Sequence, residues 1–578
     1  MESVGSEAAT LEQPTAAQLE ITDADGQVQN VGLDQLMVLA ASPQNRFIPG
    51  SEFLKAAGML ARRPRRVLGH TAGMAADLGR VIAGRSERQP TRRDSRFRDP
   101  AWTQSWLFRR ICQSYLSISD YARALADEPP LQPADRQRLR MVVDNVIDAL
   151  APTNFPLTNP TVWKTTIDRG GSNFVAGARA AVRDARSPAK LPANVDPTAF
   201  KVGESLAVSP GAVVRREDRF ELIQYQPRAE KVREIPVLLV PPMISKFYIV
   251  DLSPGKSMVE FLGGQGLQQF AVSWANPTRD NADWHLDGYL ESIVKAIDTA
   301  REITGADAVH VVGFCAGGIA SSIAIGHLAA LGRIDAVASL SLMVTVIDPG
   351  AGVPVLSMAS PDIAKVAKAK VRRKGYLAGT ELGRTFAWLR PNDMIWNNFI
   401  NDYYLGNQPP AFDLLFWNQD SMNMPAGLHA DLMDITLSSP LAKPGALTIL
   451  GTPIDLSQIT CDAYVVGGET DHLTPWPSCY RSVAVLGGKT RFVLSTSGHM
   501  AAVFHPPGNP KSTYRIGDES CPTPEDWLQS AQLHKGTWWL DWAPWLIERS
   551  GGVVKAPDGL GNAAFTPLDS APGRYVLR

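Results

Sequence analysis

Cys315 stands in the run Gly313-Phe314-Cys315-Ala316-Gly317-Gly318, and these six residues carry the clearest chemical signal in the chain. An apolar run, Ala308 to Val312, leads into them, and a Gly- and Ala-rich helical stretch, Gly317 to Leu331, leads out. The pattern is a strand, a sharp turn and a helix with a reactive side chain at the apex. It has the form of a nucleophile elbow, G-x-S-x-G, with cysteine in the serine position. Small flanking residues let such a strained turn pass close to neighbouring backbone. Cysteine suits chemistry other than simple ester hydrolysis, because a thiolate takes an acyl group from a thioester and keeps it as a thioester. A free cysteine is otherwise usually a small buried hydrophobe, so the residues that would activate it must decide.

An activated nucleophile needs a base, and the base needs an orienting group. With a strand-to-helix elbow the chain order is nucleophile, acid, histidine. Nine histidines make the search short. Asp471 follows the apolar run Cys461 to Val466, and His499 follows Thr490 to Ser495. Each sits just past the end of a strand pattern, where a parallel sheet presents its functional loops. The interval between them has room for one helix and one strand. Asp348, also after a strand pattern, is the runner-up acid. His472 is adjacent to Asp471, and neighbours in sequence do not easily supply a base and its orienter from two converging loops. His310 and His327 flank the elbow and read as packing or surface residues. His505 could mimic a metal pair with His499, but no Cys/His/carboxylate cluster completes such a site, so no metal is expected. The oxyanion hole is expected from the backbone N–H of Ala316 and from the loop after Val240, near Met243 or Ile244.

These side chains need a scaffold, and the sequence outlines one. From about Lys201, apolar or alternating runs recur: Phe220 to Tyr225, Ile235 to Val240, Leu267 to Trp274, the lead-in to the elbow, Val337 to Ile347, Cys461 to Val466 and Thr490 to Ser495. Helical stretches such as Trp284 to Thr304 separate several of them. Short buried strands alternating with helices indicate an α/β architecture, a mostly parallel sheet with helices on both faces. With the elbow, this predicts the α/β-hydrolase fold. Residues 348–460 show little strand pattern and are rich in aromatics, among them Trp388, Trp396, Phe399, Tyr403, Tyr404, Phe412, Phe416 and Trp417. They read as a cap insertion, whose aromatics either line an apolar tunnel or form the cap's own core. Upstream, helical spacing runs from Trp102 to Ala151, for example Leu107, Ile111, Tyr115 and Ile118. The expected organisation is an acidic, flexible tail over residues 1–60, a mainly helical N-terminal domain over 61–200, and a catalytic domain over 201–578 with its cap at about 349–440.

The chain has 578 residues, 44% hydrophobic and 20% charged, with a formal net charge of −1. That balance argues neither for nucleic acid nor for an acidic polymer partner, and no nucleic-acid partner is expected. Charge is nonetheless segregated: residues 1–45 hold seven acids and no Lys or Arg, and residues 62–98 hold eleven arginines against three acids. The arginine stretch reads as a solvated, partly helical connector rather than an anion-binding surface. Five cysteines without paired spacing fit a reducing compartment. No export signal or membrane-length apolar run is visible, so a cytoplasmic protein without a transmembrane segment is the expectation.

With these residues in place, the chain from about Asp99 to Arg578 resembles the polyhydroxyalkanoate synthases, bacterial enzymes that polymerise 3-hydroxyacyl-CoA into storage polyester. The resemblance is carried by Asp99-Pro100-Ala101-Trp102, the Asn159-Pro160 region, Val240-Pro241-Pro242 with Lys246-Phe247-Tyr248 and Asp251-Leu252, and Ser273-Trp274-Ala275-Asn276-Pro277. It continues through Leu389-Arg390-Pro391-Asn392-Asp393, Phe416-Trp417-Asn418, Thr470-Asp471-His472 with Thr474-Pro475-Trp476, and Ser497-Gly498-His499 with Pro506-Pro507. Two positions depart from the pattern: Ser245 stands where Asn is expected, and Ala275 where Arg is usual. Both bear on substrate preference. The resemblance implies Cys315 as nucleophile, Asp471 as catalytic acid and His499 as catalytic histidine. It implies (R)-3-hydroxyacyl-CoA and the growing polyester as substrates, no cofactor beyond the CoA thioester itself, a homodimer, and a place at the surface of storage granules with granule-associated proteins. A thioesterase or related hydrolase, and a non-catalytic granule-surface protein, are the alternatives.

Overall fold

The computed structural model describes residues 40, 51–91, 94–348, 361–389, 391–471 and 473–578. Its centre is an eleven-stranded sheet among the described residues. In chain order the strands are β1 (Gly211–Arg216), β2 (Phe220–Tyr225), β3 (Val237–Val240), β4 (Gln269–Trp274), β5 (Val309–Phe314), β6 (Val337–Met343), β7 (Asp462–Gly468), β8 (Thr490–Ser495), β9 (Thr513–Ile516), β10 (Gln532–Lys535) and β11 (Asp569–Ser570). Across the sheet they lie in the order β10-β9-β8-β7-β6-β5-β3-β4-β2-β1-β11. The six strands from β4 to β8 in that order are parallel, and the outer ones antiparallel. This is the α/β-hydrolase fold, and the seven strand runs read from the sequence all form strands of this sheet. The other four, β1, β9, β10 and β11, lie at the two margins of the sheet, with β10 and β11 at its edges. β9, β10 and β11 are partly or wholly exposed, and β1 buries only Ala212, Val213 and Val214 before two arginines, so none carries a long apolar run.

Register decides where the functional loops emerge. Val240 of β3 pairs with Gly313 of β5, Gly313 with Leu342 of β6, Leu342 with Val465 of β7, and Gly468 of β7 with Ser495 of β8. The C-terminal ends of these strands therefore finish at one edge. Alternation along each strand sends side chains to two separate cores. Leu238, Val240, Val311, Leu342 and Val465 pack on one face with the helices Leu286–Thr304 and Ala316–Ala330. Leu239, Val312, Phe314, Tyr464 and Val466 pack on the other with Trp538, Trp539, Trp542 and Leu546.

The N-terminal region is helical, from Ser51–Ala61 to Ser172–Ala185. The boundary of the expected tail moves accordingly. Residues 1–39 and 41–50 lie outside the described residues, whereas Ser51–Ala61 is a helix whose Ala56 is buried against Ala126, Leu131 and Leu139. The helical reading of the arginine stretch holds for Pro64–Ile82. Its charges are used locally: Arg63 and Arg66 meet Glu128, Arg88 meets Asp77 and Asp120, and Arg96 meets Asp94 and Asp148. In the helix Trp106–Asp127 the buried face carries Phe108 and Cys112, while Leu107 and Ile118 are exposed.

Between β6 and β7 lies a mostly helical cap, including Pro361–Lys374, Gly379–Leu389, Asp413–Gln419 and Ala426–Ser438, with two π-helical turns, Asn392–Trp396 and Ile400–Tyr404. The N-terminal helices grip the π-helical turns: Asn173 Nδ2 donates to Tyr404 O at 2.7 Å and Tyr403 Oη to Asp184 Oδ2 at 3.0 Å. Among the described residues no helix is long and apolar enough to cross a membrane.

Candidate active site

The elbow forms as its residue types dictate. Cys315 adopts φ 50°, ψ −118°, a region costly for any residue with a side chain, and such strain is held only where the surroundings impose it. The surroundings here are specific. Cys315 N donates to Met343 O at 2.9 Å, and its own carbonyl accepts from Gly318 N at 3.0 Å and Ile319 N at 3.2 Å. A Cβ on Gly318 would lie 2.1 Å from Thr345 Oγ1, and one on Gly317 would lie 2.4 Å from Val240 O. The absence of side chains at these positions lets the elbow press against the ends of β3 and β6.

That contact also places the groups expected to form an oxyanion hole. Ala316 is the first residue of the helix that follows the elbow, so its N–H is one of the donors that no turn of the helix satisfies. The close approach of Gly317 brings the loop after Val240 alongside. Trp274 Nε1 donates to Pro241 O at 2.9 Å and fixes the start of that loop. Of the two residues expected near the second donor, Ile244 lines the cavity that holds Cys315, while Met243 is buried in the hydrophobic core.

Asp471 and His499 arrive from β7 and β8 on two loops tied to each other: Glu469 N donates to Ser495 O at 2.8 Å and Thr470 N to Ser497 O at 3.2 Å. Asp471 is 3% exposed. Its Oδ1 accepts from Leu473 N at 2.8 Å and Thr474 N at 3.0 Å. Its Oδ2 accepts from Thr474 Oγ1 at 2.5 Å and lies 2.8 Å from His499 Nδ1. With Nδ1 turned to the carboxylate, the other ring nitrogen is left free to serve the sulfur of Cys315, which lines the same cavity. Burial alone would push the imidazolium pKa down; Asp471, helped by the Cys315 sulfur, outweighs it and holds the pKa up at about 10. The structure thus brings together Cys315, Asp471 and His499 from three loops far apart in sequence.

The rival histidines have other partners. His310 is fully buried, hydrogen-bonded to Ser339 and Ser550 at 2.7 and 3.0 Å, and driven by burial down to about 3. His505 meets Ser512 at 2.7 Å and is pushed down to about 4 by burial. His327 meets Thr452 at 2.8 Å. His472 lies outside the described residues.

A cavity of about 200 Å³ opens over Cys315 and His499. The cap supplies nearly half of its wall, including Leu382, Phe386, Met394, Leu414, Leu415 and Trp417. Of the cap aromatics singled out in the sequence, Trp417 alone is among these wall residues. Trp388, Trp396, Phe399, Tyr403 and Tyr404 are half-buried and pack edge-on in a chain of rings within the cap, and Phe416 packs on Phe200. The aliphatic wall had no sequence signal, since a leucine in a helix reads the same whether it faces a cavity or a core. Thr474 was also missed as a functional residue. It stood in view in Thr474-Pro475-Trp476, but its hydroxyl's place between Asp471 and the His499 ring, 3.0 Å from Nδ1, is a product of the fold.

Known proteins resemble this chain over most of its length. Residues 93–262 match the family described as the poly-beta-hydroxybutyrate polymerase (PhaC) N-terminus, and residues 249–506 match the alpha/beta hydrolase fold. Poly(3-hydroxyalkanoate) polymerase 1 of Ectopseudomonas oleovorans is 41% identical over 515 residues, covering 89% of this chain and 92% of the relative. The poly(3-hydroxyalkanoate) polymerase subunit PhaC of Cupriavidus necator is 39% identical over 505 residues, 86% of this chain and 85% of the relative. Among solved structures, a hydrolase from Pseudomonas aeruginosa covers 51% of this chain and 92% of its own, at 16% identity and a TM-score of 0.30.

Proposed function

The chain belongs to the poly(3-hydroxyalkanoate) polymerases, and we propose that it performs their reaction by covalent catalysis on Cys315. It is an acyl-transferring enzyme that polymerises hydroxyacyl-CoA into polyester with release of CoA. The observation that carries the covalent reading is the meeting of a cysteine on a strained elbow with a carboxylate-anchored histidine, in one cavity walled by apolar side chains.

In this reading His499 takes the thiol proton of Cys315. A thiol is mostly protonated at neutral pH and becomes the nucleophile only on losing it. The thiolate attacks the thioester carbonyl of (R)-3-hydroxyacyl-CoA. The N–H groups of Ala316 and of the Ile244 loop stabilise the tetrahedral oxyanion. The C–S bond to CoA breaks, and the CoA sulfur leaves with the proton held on His499. The acyl group now rests on Cys315 as a thioester. The 3-hydroxyl of another acyl unit then gives its proton to His499 and attacks, so that an ester bond forms and Cys315 is freed. Asp471 has its oxygens engaged by two backbone N–H groups, Thr474 and His499 Nδ1. That supports a role in orienting the ring and stabilising its charge, rather than in direct activation of the substrate hydroxyl.

Water competes with the alcohol for the acyl-cysteine. The leucines, Met394 and Phe386 of the wall disfavour it, which supports polymerisation over the thioesterase alternative. The decisive variant is Cys315→Ala assayed with hydroxybutyryl-CoA, which is expected to lose CoA release and polymer turbidity together. Substantial polymer from it would overturn the assignment, and CoA with free hydroxy acid from the wild-type enzyme would favour a hydrolase. We also propose a homodimer working at the surface of its insoluble product. Light scattering of the purified protein and its partition with sedimented polyester check both; a monomer, or protein left entirely in the supernatant, would refute the respective point.

A further inference from the structure

Lys246 directly follows the loop that carries Ile244, and it is only 4% exposed. Burying an ammonium group is costly unless its protons are taken up. Here Nζ donates to Val576 O at 2.6 Å and to the main-chain oxygen of Arg578 at 2.5 Å. The same residue's carbonyl accepts from Trp417 Nε1 at 2.7 Å. Lys246 is therefore bonded on one side to the segment 569–578 and on the other to the cap.

Both anchors are firm. Asp569 and Ser570 pair with Val213 and Ala212 of β1. The fully buried Glu221 of β2 accepts from Arg574 N and Tyr575 N, each at 3.0 Å, and Tyr575 Oη donates to Glu217 O at 2.7 Å. Val576 is buried in the core beneath. From the cap, Met422 N donates to Ile244 O at 3.4 Å beside Trp417. The loop itself lies outside any regular helix or strand of the sheet. A donor to a developing oxyanion must be held to within about half an ångström, and a loop needs outside fixation to achieve that.

We propose that Lys246 is a positioning residue for the oxyanion hole, pegging the Ile244 loop between the cap and the segment 569–578. This rests on the acyl-cysteine reading, and it concerns one step within it, the stabilisation of the tetrahedral intermediate. A group that merely stabilises the fold would, when lost, disturb every reaction of Cys315. A group that aims the oxyanion donor disturbs only reactions that form an oxyanion.

The test uses that difference on the full-length enzyme. Lys246→Met keeps an unbranched side chain only one atom shorter and removes its donors. Single-turnover CoA release from hydroxybutyryl-CoA is expected to fall about 10- to 100-fold, below the loss of about 100- to 1,000-fold seen when an oxyanion donor is deleted outright. Alkylation of Cys315 by iodoacetamide, a displacement at saturated carbon that forms no oxyanion, is expected to stay within about twofold of wild type. Lys246→Arg, which retains donors in a displaced geometry, is expected to show the same split more mildly, and it carries the test if the Met variant does not fold. Wild-type CoA release in either variant, or equal loss of both reactions, would overturn the proposal. If the wild-type enzyme itself gives no acyl-enzyme burst, it is the acyl-cysteine reading that fails, independently of Lys246.

Discussion

Replacing Asp471 by Asn tests the central pair, and its effect can be worked from the geometry. Asp471 Oδ2 lies 2.8 Å from His499 Nδ1. Two unit charges at that separation attract by about 6 kcal/mol at an effective dielectric of about 20. That corresponds to about a 10⁴-fold bias toward the protonated ring. Burial works against it, and the net result is the rise of His499 from 6.5 to about 10. The isosteric amide removes the charge and also reverses the hydrogen bond. An Asn Nδ2–H facing Nδ1 places the ring proton on Nε2, the nitrogen that must accept the proton of Cys315. Both effects disable the base while leaving the cavity intact. The expected loss in single-turnover CoA release from hydroxybutyryl-CoA is about 10³- to 10⁴-fold at neutral pH, with partial recovery in alkaline buffer where hydroxide removes the thiol proton. Binding should change little, since Asp471 is buried behind His499. A rapid-quench assay of CoA release against pH reads this directly. Activity within about tenfold of wild type at neutral pH would refute the idea that the carboxylate sustains the base.

Three further outcomes follow from the same structure. Gly317→Ala would place a Cβ 2.4 Å from Val240 O and 2.7 Å from Pro241 O, main-chain atoms that cannot rotate away, so thermal unfolding should show a loss of about 1–3 kcal/mol together with loss of acyl transfer; an unchanged melting temperature would mean that the elbow does not press on β3 as described. The pKa of His499 is raised on folding, so its contribution to stability is fully present below about pH 6.5 and is lost as pH rises toward 10; urea unfolding of wild type and His499→Gln at pH 6 and pH 9 should give a difference that shrinks with pH, and a constant difference would contradict the pairing. Phe386→Ala enlarges the cavity wall, so the ratio of rates for longer over shorter 3-hydroxyacyl-CoA substrates should rise, whereas an unaltered ratio would show that the acyl chain does not contact this wall.

The sequence by itself was enough for the scaffold and for the residues of the candidate site. The elbow residues Gly313–Gly318, the apolar runs that became β2 to β8, and the positions of Asp471 and His499 just past β7 and β8 all follow from local patterns of residue type. Strands buried on both faces must be continuously apolar, and catalytic residues follow them at the sheet's C-terminal edge. What the sequence could not supply was anything that depends on which distant surfaces meet. The half-buried β9 and the exposed edge strand β10 lack an apolar run, so neither was visible. Whether a cap residue faces the cavity or its own core is a matter of helix rotation and docking, and so the conspicuous aromatics became packing while Leu382, Met394 and Leu414 became wall. The Thr474 hydroxyl against the His499 ring, and Lys246 between Val576 and Trp417, are contacts across loops or across hundreds of residues. Residue types and spacing determine which groups can react; only the packed tertiary structure sets the distances and fields that make them do so.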